Sequence, residues 1–223
     1  MTLMFTGYTP ELIADLKTRW SLLQMRRGQT RAEGLLVGTN VNLLYLSGRI
    51  FMGFIYIPAE GAPWFFVRRP CGLTGQNVVE IRKPEQIPEI LRAAGVALPG
   101  KVLLEGDELP HSEWVRLAAV FGTAPAADGS ALLRRSRAVK TPYEIRLMKK
   151  TGSRHAAVVG RFASVYEPGM TDQAWSVEMF HLMLKAGGLG LFRVAGESME
   201  GFMGTILAGD NGGAPSPYDF GLG

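Results

Sequence analysis

The strongest constraint on the fold is the way in which apolar residues change their spacing along the first 130 residues. After Thr9-Pro10-Glu11, which suits the start of a helix, apolar side chains recur every three or four residues as far as Leu23, and Gly28 ends the pattern. Residues 34–38 are a short apolar run between glycines, which is typical of a buried strand. Helical and strand patterns alternate from there, so the sequence predicts a mixed α/β domain with helices packed on a sheet.

The remaining elements follow from the same two spacings and from turn residues. In this region, helices are also predicted at 40–46, 84–94 and 111–121, and strands at 51–57, 64–67 and 102–105. The proline- and glycine-rich segment 58–63 predicts a hairpin between the first two of these strands.

A second region begins near Ser130. Thr141-Pro142-Tyr143-Glu144 has the form of a capping box and predicts one long helix that reaches about residue 166. Thr171 predicts the cap of a further helix, which would bury apolar residues as far as Ala186. Strands are then predicted at 192–195 and 204–208, and a loop at 209–217.

Composition excludes several classes of protein. The single cysteine, Cys71, excludes a disulfide within the chain and a two-cysteine metal knuckle. No apolar run approaches the ~20 residues of a membrane span, and residues 1–20 lack the pattern of a signal peptide. We therefore expect a cytoplasmic protein without membrane contact.

The net charge of +4 is concentrated late in the chain. Eight basic residues between Arg134 and Arg154 stand against one acid, Glu144. Such a stretch can contact nucleic acid, or it can be a solvated helix face and linker, or a surface that meets acidic groups elsewhere. Among these charges only Tyr143 could stack on a base, so no nucleic-acid partner is predicted.

No catalytic residue or metal ligand is predicted within the chain. The spacing of His155 favours a packed core or interface side chain on the long helix over a ligand, and His111 and His181 fit ordinary helix positions. Asp210 and Asp219 lie close together without a histidine, which favours turn residues over metal ligands. A serine on a Gly-x-Ser-x-Gly elbow, as a hydrolase triad needs, is missing from the sequence.

Three segments in succession resemble the creatinase/prolidase superfamily, which includes Xaa-Pro aminopeptidases, prolidases and creatinases. Residues 34–48, which end in Tyr-Leu-Ser-Gly, are similar to that family's strand, short helix and Tyr-Leu-(Ser/Thr)-Gly segment. Residues 133–148 resemble the entry to its catalytic domain, and Glu167-Pro-Gly-Met-Thr171 resembles the break between the first two helices of that domain.

The resemblance implies a creatinase N-terminal-like domain at 1–130, a mixed sheet with flanking helices that is non-catalytic and often takes part in dimerisation. It implies that 131–223 is the first part of an α+β pita-bread catalytic domain, incomplete because the chain stops before the metal ligands. In the family, two Asp, one His and two Glu hold two divalent metals, and such ligands suit Mn²⁺, Co²⁺ or Zn²⁺. All five positions would lie beyond Gly223. The creatinase branch reacts without metal, so the fold alone does not fix the reaction.

One position of the family's substrate loop falls inside the chain. The segment 209–216 resembles the loop in which the family's peptidases carry a Pro-His pair, which makes Asn211, Pro215 and Ser216 substrate-loop candidates. Ser216 stands where the histidine would be, and a serine hydroxyl cannot act as the same proton partner near neutral pH. The substitution predicts reduced or altered Xaa-Pro peptidase activity.

Two functions remain open at this point. The first is the N-terminal portion of a metal-dependent, Xaa-Pro peptidase-like hydrolase of short peptides, in which this chain is inactive and the protein is a homodimer. The second is a non-catalytic dimerisation or peptide-binding module.

Overall fold

Two compact units make up the chain. The computed structural model describes residues 7–69, 71–122, 126–194, 199–202 and 206–214. The first unit is Met1–Tyr143 and the second is Glu144–Gly223. Compact packing alone does not define which segments fold independently, so the boundary expected near residue 130 stays a prediction.

The first unit is a six-stranded mixed sheet with helices on both faces, which confirms the predicted fold class. Its strands are β1 (Gly34–Val37), β2 (Gly53–Pro58), β3 (Trp64–Val67), β4 (Val78–Glu80), β5 (Val102–Leu104) and β6 (Ala126–Asp128). Its helices are α1 (Pro10–Gly28), α2 (Asn40–Ser47), α3 (Ile87–Ala93, after a 3₁₀ turn at Pro84–Gln86), α4 (His111–Ala119) and α5 (Ser130–Ala138).

The strand order is β4-β3-β2-β1-β5-β6. Only β2 runs against its neighbours, and it forms the predicted hairpin with β3, in which Gly53 pairs with Val67. Every other pairing in the sheet is parallel. The carboxyl ends of β1, β3 and β5 therefore meet at one edge, together with the start of β2.

Two apolar layers hold the helices on the sheet. On one face Leu16, Leu23 and Leu46, from α1 and α2, pack with strand residues such as Ile55. On the other face Leu91 and Leu117, from α3 and α4, pack with strand residues that include Tyr56 and Phe66. Each buried aliphatic or aromatic side chain of this kind contributes roughly 1.5–3 kcal/mol of transfer free energy.

Gly53 is required where β2 begins. A Cβ atom at this position would lie 2.0 Å from the carbonyl oxygen of Phe66, a backbone atom of the paired strand. No side chain fits that gap, so the glycine fixes how β2 enters the sheet.

The second unit contains α6 (Pro142–Val159) except for its first two residues, a 3₁₀ turn at Phe162–Val165 and α7 (Asp172–Lys185). An antiparallel ribbon of β7 (Leu191–Val194) and β8 (Met199–Phe202) and the short α8 (Asp210–Gly213) follow. Thr171 caps α7 as predicted, since its hydroxyl accepts the N–H of Ala174 at 3.1 Å.

The structure corrects several sequence-based expectations in this unit. The long helix ends at Val159, because Gly160 weakens it and the chain continues in 3₁₀ geometry. A strand lies at 199–202, residues 206–208 of the strand expected at 204–208 are not in a strand, and residues 204 and 205 lie outside the described residues. A helical turn at Asp210–Gly213 interrupts the loop expected at 209–217. Ala186 is exposed, so the expectation that it is buried was wrong, and His155 is exposed, which excludes a core position and leaves the interface position as a prediction.

The basic stretch is divided between the two units. Arg134 pairs with Asp107 at 2.5 Å, and Arg137 hydrogen-bonds the Asn42 side chain. The lysines and arginines between 146 and 154 on α6 are exposed. In the described part of the chain, no helix has both the length and the apolar character of a membrane span.

Candidate functional site

A cavity of about 550 Å³ opens at the sheet edge where β1, β3 and β5 end. Gly38 and Thr39, which follow β1, line one part of it. The segment 50–54, at the start of β2, and Arg68, which follows β3, line another. The segment 108–110 and Glu113 of α4 complete the wall. Binding sites in open α/β sheets commonly lie at such strand ends, which makes this cavity the candidate site.

The buried part of the cavity lining is apolar. Phe51 and Phe54 are buried, and Leu109 is half-buried beside them. Ile50 and Met52 carry the apolar surface outwards to the rim, where both side chains are exposed.

The rim also carries three charged side chains. Arg68 lies on the β3 side, and Glu108 and Glu113 lie on the β5 side. All three are exposed, and none forms an ion pair with any of the described residues. The backbone N–H of Arg68 donates to the carbonyl oxygen of Met52 at 2.7 Å, which fixes the start of this side chain at the cavity.

The segment that carries Ile50 and Met52 to the cavity rim follows α2 and is held in place by hydrogen bonds at the end of that helix. Each of the last four carbonyl oxygens of this eight-residue helix accepts a hydrogen bond. The donors are the Gly48 N–H at 2.8 Å, the Arg19 guanidinium at 2.8 Å, the Trp20 indole N–H at 2.7 Å and the Tyr8 hydroxyl. Helix ends leave these groups unsatisfied unless such donors are supplied. Because α1 supplies two of them, the chain leaves α2 at Gly48 in a fixed direction towards the rim.

Tyr8 and Arg19, which donate to carbonyl oxygens at the end of α2, each have further interactions that support this role. Burial raises the pKa of the Tyr8 phenol to about 12, although the positive charge of Arg49 opposes that shift. The phenol therefore keeps its proton and remains a donor at neutral pH. The Arg19 guanidinium also pairs with Asp15 one helical turn earlier and lies over the Tyr45 ring at 4.9 Å.

Glu105 forms the polar centre behind the cavity. Its carboxylate is only 1% exposed and follows β5 directly. One oxygen accepts the N–H groups of Gly38 and Thr39 at 2.6 and 2.9 Å. The other accepts the Thr39 hydroxyl and the Asn42 amide, whose own oxygen accepts Arg137. The network joins β1, α2, β5 and α5 at one corner and thereby holds this part of the cavity wall in place.

A second carboxylate belongs to Asp128, the last residue of the neighbouring strand β6. Asp128 accepts the Ser130 hydroxyl at 2.6 Å, the Ser130 N–H at 2.9 Å and the Gly106 N–H at 3.0 Å. Burial alone would raise the pKa of Asp128, but these hydrogen bonds and the charge of Arg134 together lower it below its ordinary value.

The substrate-loop candidates lie in the second unit. Asn211 falls within the helical turn Asp210–Gly213. Pro215 and Ser216 lie outside the described residues, so their interpretation stays a prediction. Within the described ranges, no three His, Cys, Asp or Glu side chains come close enough together to hold a metal ion. The chain therefore offers no fit to a two-metal centre in its described part.

Sequence reasoning missed the cavity, because its wall comes from residues far apart in the chain. A partial signal was present, since Thr39 and Glu105 each follow an apolar strand directly. Polar residues at the carboxyl ends of parallel strands share one sheet edge. Recognising that signal requires the knowledge that β1 and β5 are adjacent and parallel.

Comparison with protein families identifies the first unit. Residues 19–139, more than half of the chain, match the model of the Creatinase/Prolidase N-terminal domain. A comparison with curated protein sequences finds no significant match.

Solved structures show the same fold. An Xaa-Pro dipeptidase from Bacillus anthracis matches with a TM-score of 0.65 at 17% identity, over 76% of this chain and 49% of its own. Dipeptidase PepE from Mycobacterium ulcerans matches with a TM-score of 0.59 at 21% identity, over 80% of this chain and 52% of its own. Prolidase from Pyrococcus furiosus matches with a TM-score of 0.60 at 18% identity, over 74% of this chain and 52% of its own. The chain thus spans about half the length of the solved proteins that it matches.

Proposed function

The chain belongs to the Creatinase/Prolidase N-terminal domain family, and from that premise we propose that it is the N-terminal portion of a metal-dependent, Xaa-Pro peptidase-like hydrolase. The observation that carries this proposal is the extent of the fold match. It reaches across about three quarters of this chain but only about half of each dipeptidase and prolidase structure. In this proposal the first unit is the non-catalytic domain, and the second begins the catalytic domain.

The catalytic centre of the complete protein is proposed to hold two divalent metals, Mn²⁺, Co²⁺ or Zn²⁺. A pair of such ions can activate water and polarise a peptide carbonyl. The described residues do not fit this group, so we assign no catalytic residue to the 223-residue chain and expect it to be inactive by itself.

A direct assay tests whether the complete protein hydrolyses peptides while the 223-residue chain does not. The 223-residue chain and the complete protein are each incubated with an Xaa-Pro dipeptide such as Leu-Pro, with Mn²⁺, Co²⁺ or Zn²⁺ and, in parallel, with EDTA. We expect metal-dependent hydrolysis by the complete protein alone. Hydrolysis by the short chain that EDTA abolishes would disprove its proposed inactivity, and a complete protein without metal-dependent hydrolysis would disprove the proposed reaction.

A second candidate function is a dimerisation module, and the exposed apolar side chains of the second unit favour it. Met148 on α6 is 58% exposed, Val177 on α7 is 61% exposed, and Leu189 is 89% exposed. Apolar groups of this size left in water favour association with another surface. In this candidate function that surface belongs to a second copy of the chain.

Light scattering on a size-exclusion column tests the dimer. The triple variant Met148→Ser, Val177→Ser, Leu189→Ser should shift the chain from dimer to monomer. The matched control is Val115→Ser, which removes a 54% exposed apolar side chain from the first unit and should leave the dimer intact. A wild-type chain that is monomeric at all concentrations would contradict this candidate function.

A further inference from the structure

Helix α6 carries a row of exposed positive charges. Lys149, Lys150 and Arg154 are exposed, and none of the three forms an ion pair with any of the described residues. Arg146 is exposed one turn before Lys150. The sequence of the helix contains a single acid, Glu144. Most of the positive charge of α6 is therefore available to a partner.

Helical geometry places these charges on one side of α6. Arg146, Lys150 and Arg154 follow one another at intervals of four residues, and residues at that interval are neighbours on a helix surface. Lys149 lies three positions after Arg146 and joins the same side. Glu144, two positions before Arg146, lies nearly on the opposite side, because each residue turns the helix by about 100°. The four cations form the basic face of α6, which is roughly 12 Å long at about 1.5 Å per residue.

The apolar residues of α6 lie away from the basic face. Ile145, Met148 and Val159 recur at spacings that place them together on another side of the helix. Their side chains are 42%, 58% and 42% exposed. In the proposed complete protein this apolar side is available for packing against further residues of the catalytic domain. The basic face does not have to be buried with it, so a partner can reach this face in the complete protein as well.

The earlier part of the basic stretch has a structural role. Arg134 pairs with Asp107, and Arg137 donates to the Asn42 side chain, so both arginines hold α5 to the first unit. Three of the four cations of the basic face have no ion-pair partner among the described residues. The structure therefore separates arginines that stabilise the fold from cations that are open to a ligand.

A row of cations without aromatic side chains fits a partner with closely spaced negative charges. Double-stranded DNA carries one phosphate charge per about 1.7 Å of its axis, so several phosphates lie along a face of roughly 12 Å. Contacts to phosphate position a protein on a duplex without reading its bases, and they need no stacking side chain. The sequence-based argument against a nucleic-acid partner concerned stacking on single strands, and it does not apply to the phosphates of a duplex. An acidic protein would have to match the spacing of this row, whereas a duplex offers phosphates in every register.

From these observations we propose that the basic face of α6 binds the phosphate backbone of a nucleic-acid duplex, independently of base sequence. Each cation that contacts a phosphate displaces condensed counterions, which makes the affinity depend steeply on salt. This inference goes beyond the proposed hydrolase, because it requires neither metal nor peptide substrate.

Fluorescence anisotropy of a labelled DNA duplex of two helical turns tests the proposal. The 223-residue chain and the complete protein are each titrated in EDTA at several salt concentrations. We expect log Kd to rise with log salt with a slope of at least about 2.7, since three neutralised phosphates contribute about 0.9 each. The affinity then falls about 40-fold between roughly 50 mM and 200 mM salt. A slope below about 1 for either protein, or no binding by about 1 mM protein at roughly 50 mM salt, would overturn the proposal.

Matched variants test whether the basic face is the binding surface. The triple variant Lys149→Gln, Lys150→Gln, Arg154→Gln should flatten the slope by about 2.7, because three phosphate contacts are lost. The control changes the net charge equally by replacing three exposed arginines of the first unit: Arg31→Gln, Arg82→Gln and Arg92→Gln. The control variant should keep the slope of the wild type. If it flattens the slope as much as the α6 variant does, binding is a general charge effect and the proposal is wrong. Circular dichroism establishes that both variants are folded before titration.

Two competitors test the chemistry of the partner. An unlabelled duplex of unrelated sequence should displace the labelled duplex completely. Polyglutamate at the same concentration of charge should displace it only weakly, because an extended polypeptide carries one charge per about 3.3–3.6 Å. Equal displacement by polyglutamate would show that the basic face accepts acidic polypeptides as readily, which would contradict the proposed duplex. Because no hydrolysis enters these experiments, their failure would leave the proposed hydrolase untouched, and an inactive complete protein would leave this surface untouched.

Discussion

Replacing Glu105 by glutamine changes the buried corner that joins β1, α2, β5 and α5. The two backbone N–H groups of Gly38 and Thr39 cannot reverse their direction, so the glutamine oxygen must take their side. The glutamine NH₂ then faces the Asn42 amide, whose oxygen is already held by Arg137. The Thr39 hydroxyl can rotate and accept, but the Asn42 amide loses its hydrogen bond to the residue 105 side chain and keeps only the one to the Thr39 oxygen at 3.2 Å.

The cost follows from these contacts. One buried hydrogen bond to a charged oxygen is lost, which costs about 1.5–3 kcal/mol, and two further hydrogen bonds to the same carboxylate become weaker neutral ones. Removing a buried charge offsets a part of this loss. We expect Glu105→Gln to lower the free energy of unfolding of the first unit by about 2–4 kcal/mol.

Urea unfolding followed by tryptophan fluorescence measures this change. A Trp175→Phe background removes the tryptophan of the second unit and leaves those at 20, 64 and 114 in the first. The control is Glu108→Gln, an exposed glutamate that should change the free energy of unfolding by less than about 0.5 kcal/mol. A loss below about 1 kcal/mol for Glu105→Gln would refute the view that this carboxylate organises the corner.

Three further predictions follow from individual residues. Gly53→Ala should lower the free energy of unfolding by at least about 2 kcal/mol, because the new Cβ meets the Phe66 carbonyl, whereas Gly28→Ala, with nothing within 4 Å, should be close to neutral in the same urea assay. Asp128 has a lowered pKa in the folded state, so its carboxylate stabilises the fold above its unfolded pKa, and this stability is lost as the pH falls through the folded value. The difference in unfolding free energy between wild type and Asp128→Asn should therefore shrink between pH 6 and pH 3, and a gap that is constant with pH would be inconsistent with that role. Ser216→His in the complete protein should raise kcat for Leu-Pro, because it restores a proton partner; an unchanged or lower kcat would count against the loop assignment.

Local sequence patterns predicted most elements of the first unit. Thr9-Pro10 placed the start of α1, where the Thr9 hydroxyl accepts the N–H of Leu12 at 3.2 Å. Gly48 placed the end of α2, where it adopts the left-handed conformation with φ of 73°. The turn residues of 58–63 placed the hairpin. These features depend on a few neighbouring residues, so a single sequence contains the necessary information.

The missed elements depend on contacts far along the chain. β4 and β6 have three residues each and pair in parallel with strands that are distant in sequence. Such short strands lack a clear alternation of apolar and polar residues, and only the sheet stabilises them. The end of α6 at Val159 was missed for a related reason, because the apolar spacing continues beyond Gly160 although the helix does not.

In the candidate site, too, some features follow from neighbouring residues and others only from distant contacts. Buried Glu105 and exposed Glu108 differ by only three positions, and the sequence distinguishes them only in that Glu105 directly follows an apolar strand. Their difference arises because Glu105 faces the start of α2, whereas Glu108 lies on the rim of the cavity. Charge and spacing can therefore suggest candidate residues at strand ends, but only the sheet topology assigns one to the network and the other to the cavity.

The most direct test of the proposed function is to sequence the native transcript past the codon for Gly223. If the chain is the N-terminal portion of a two-metal hydrolase, the reading frame continues for roughly as many codons again, as the half-length match implies. It then encodes the Asp, Asp, His, Glu and Glu ligands in that order. A stop codon directly after Gly223, or a continuing frame without those ligands, would contradict the proposed hydrolase.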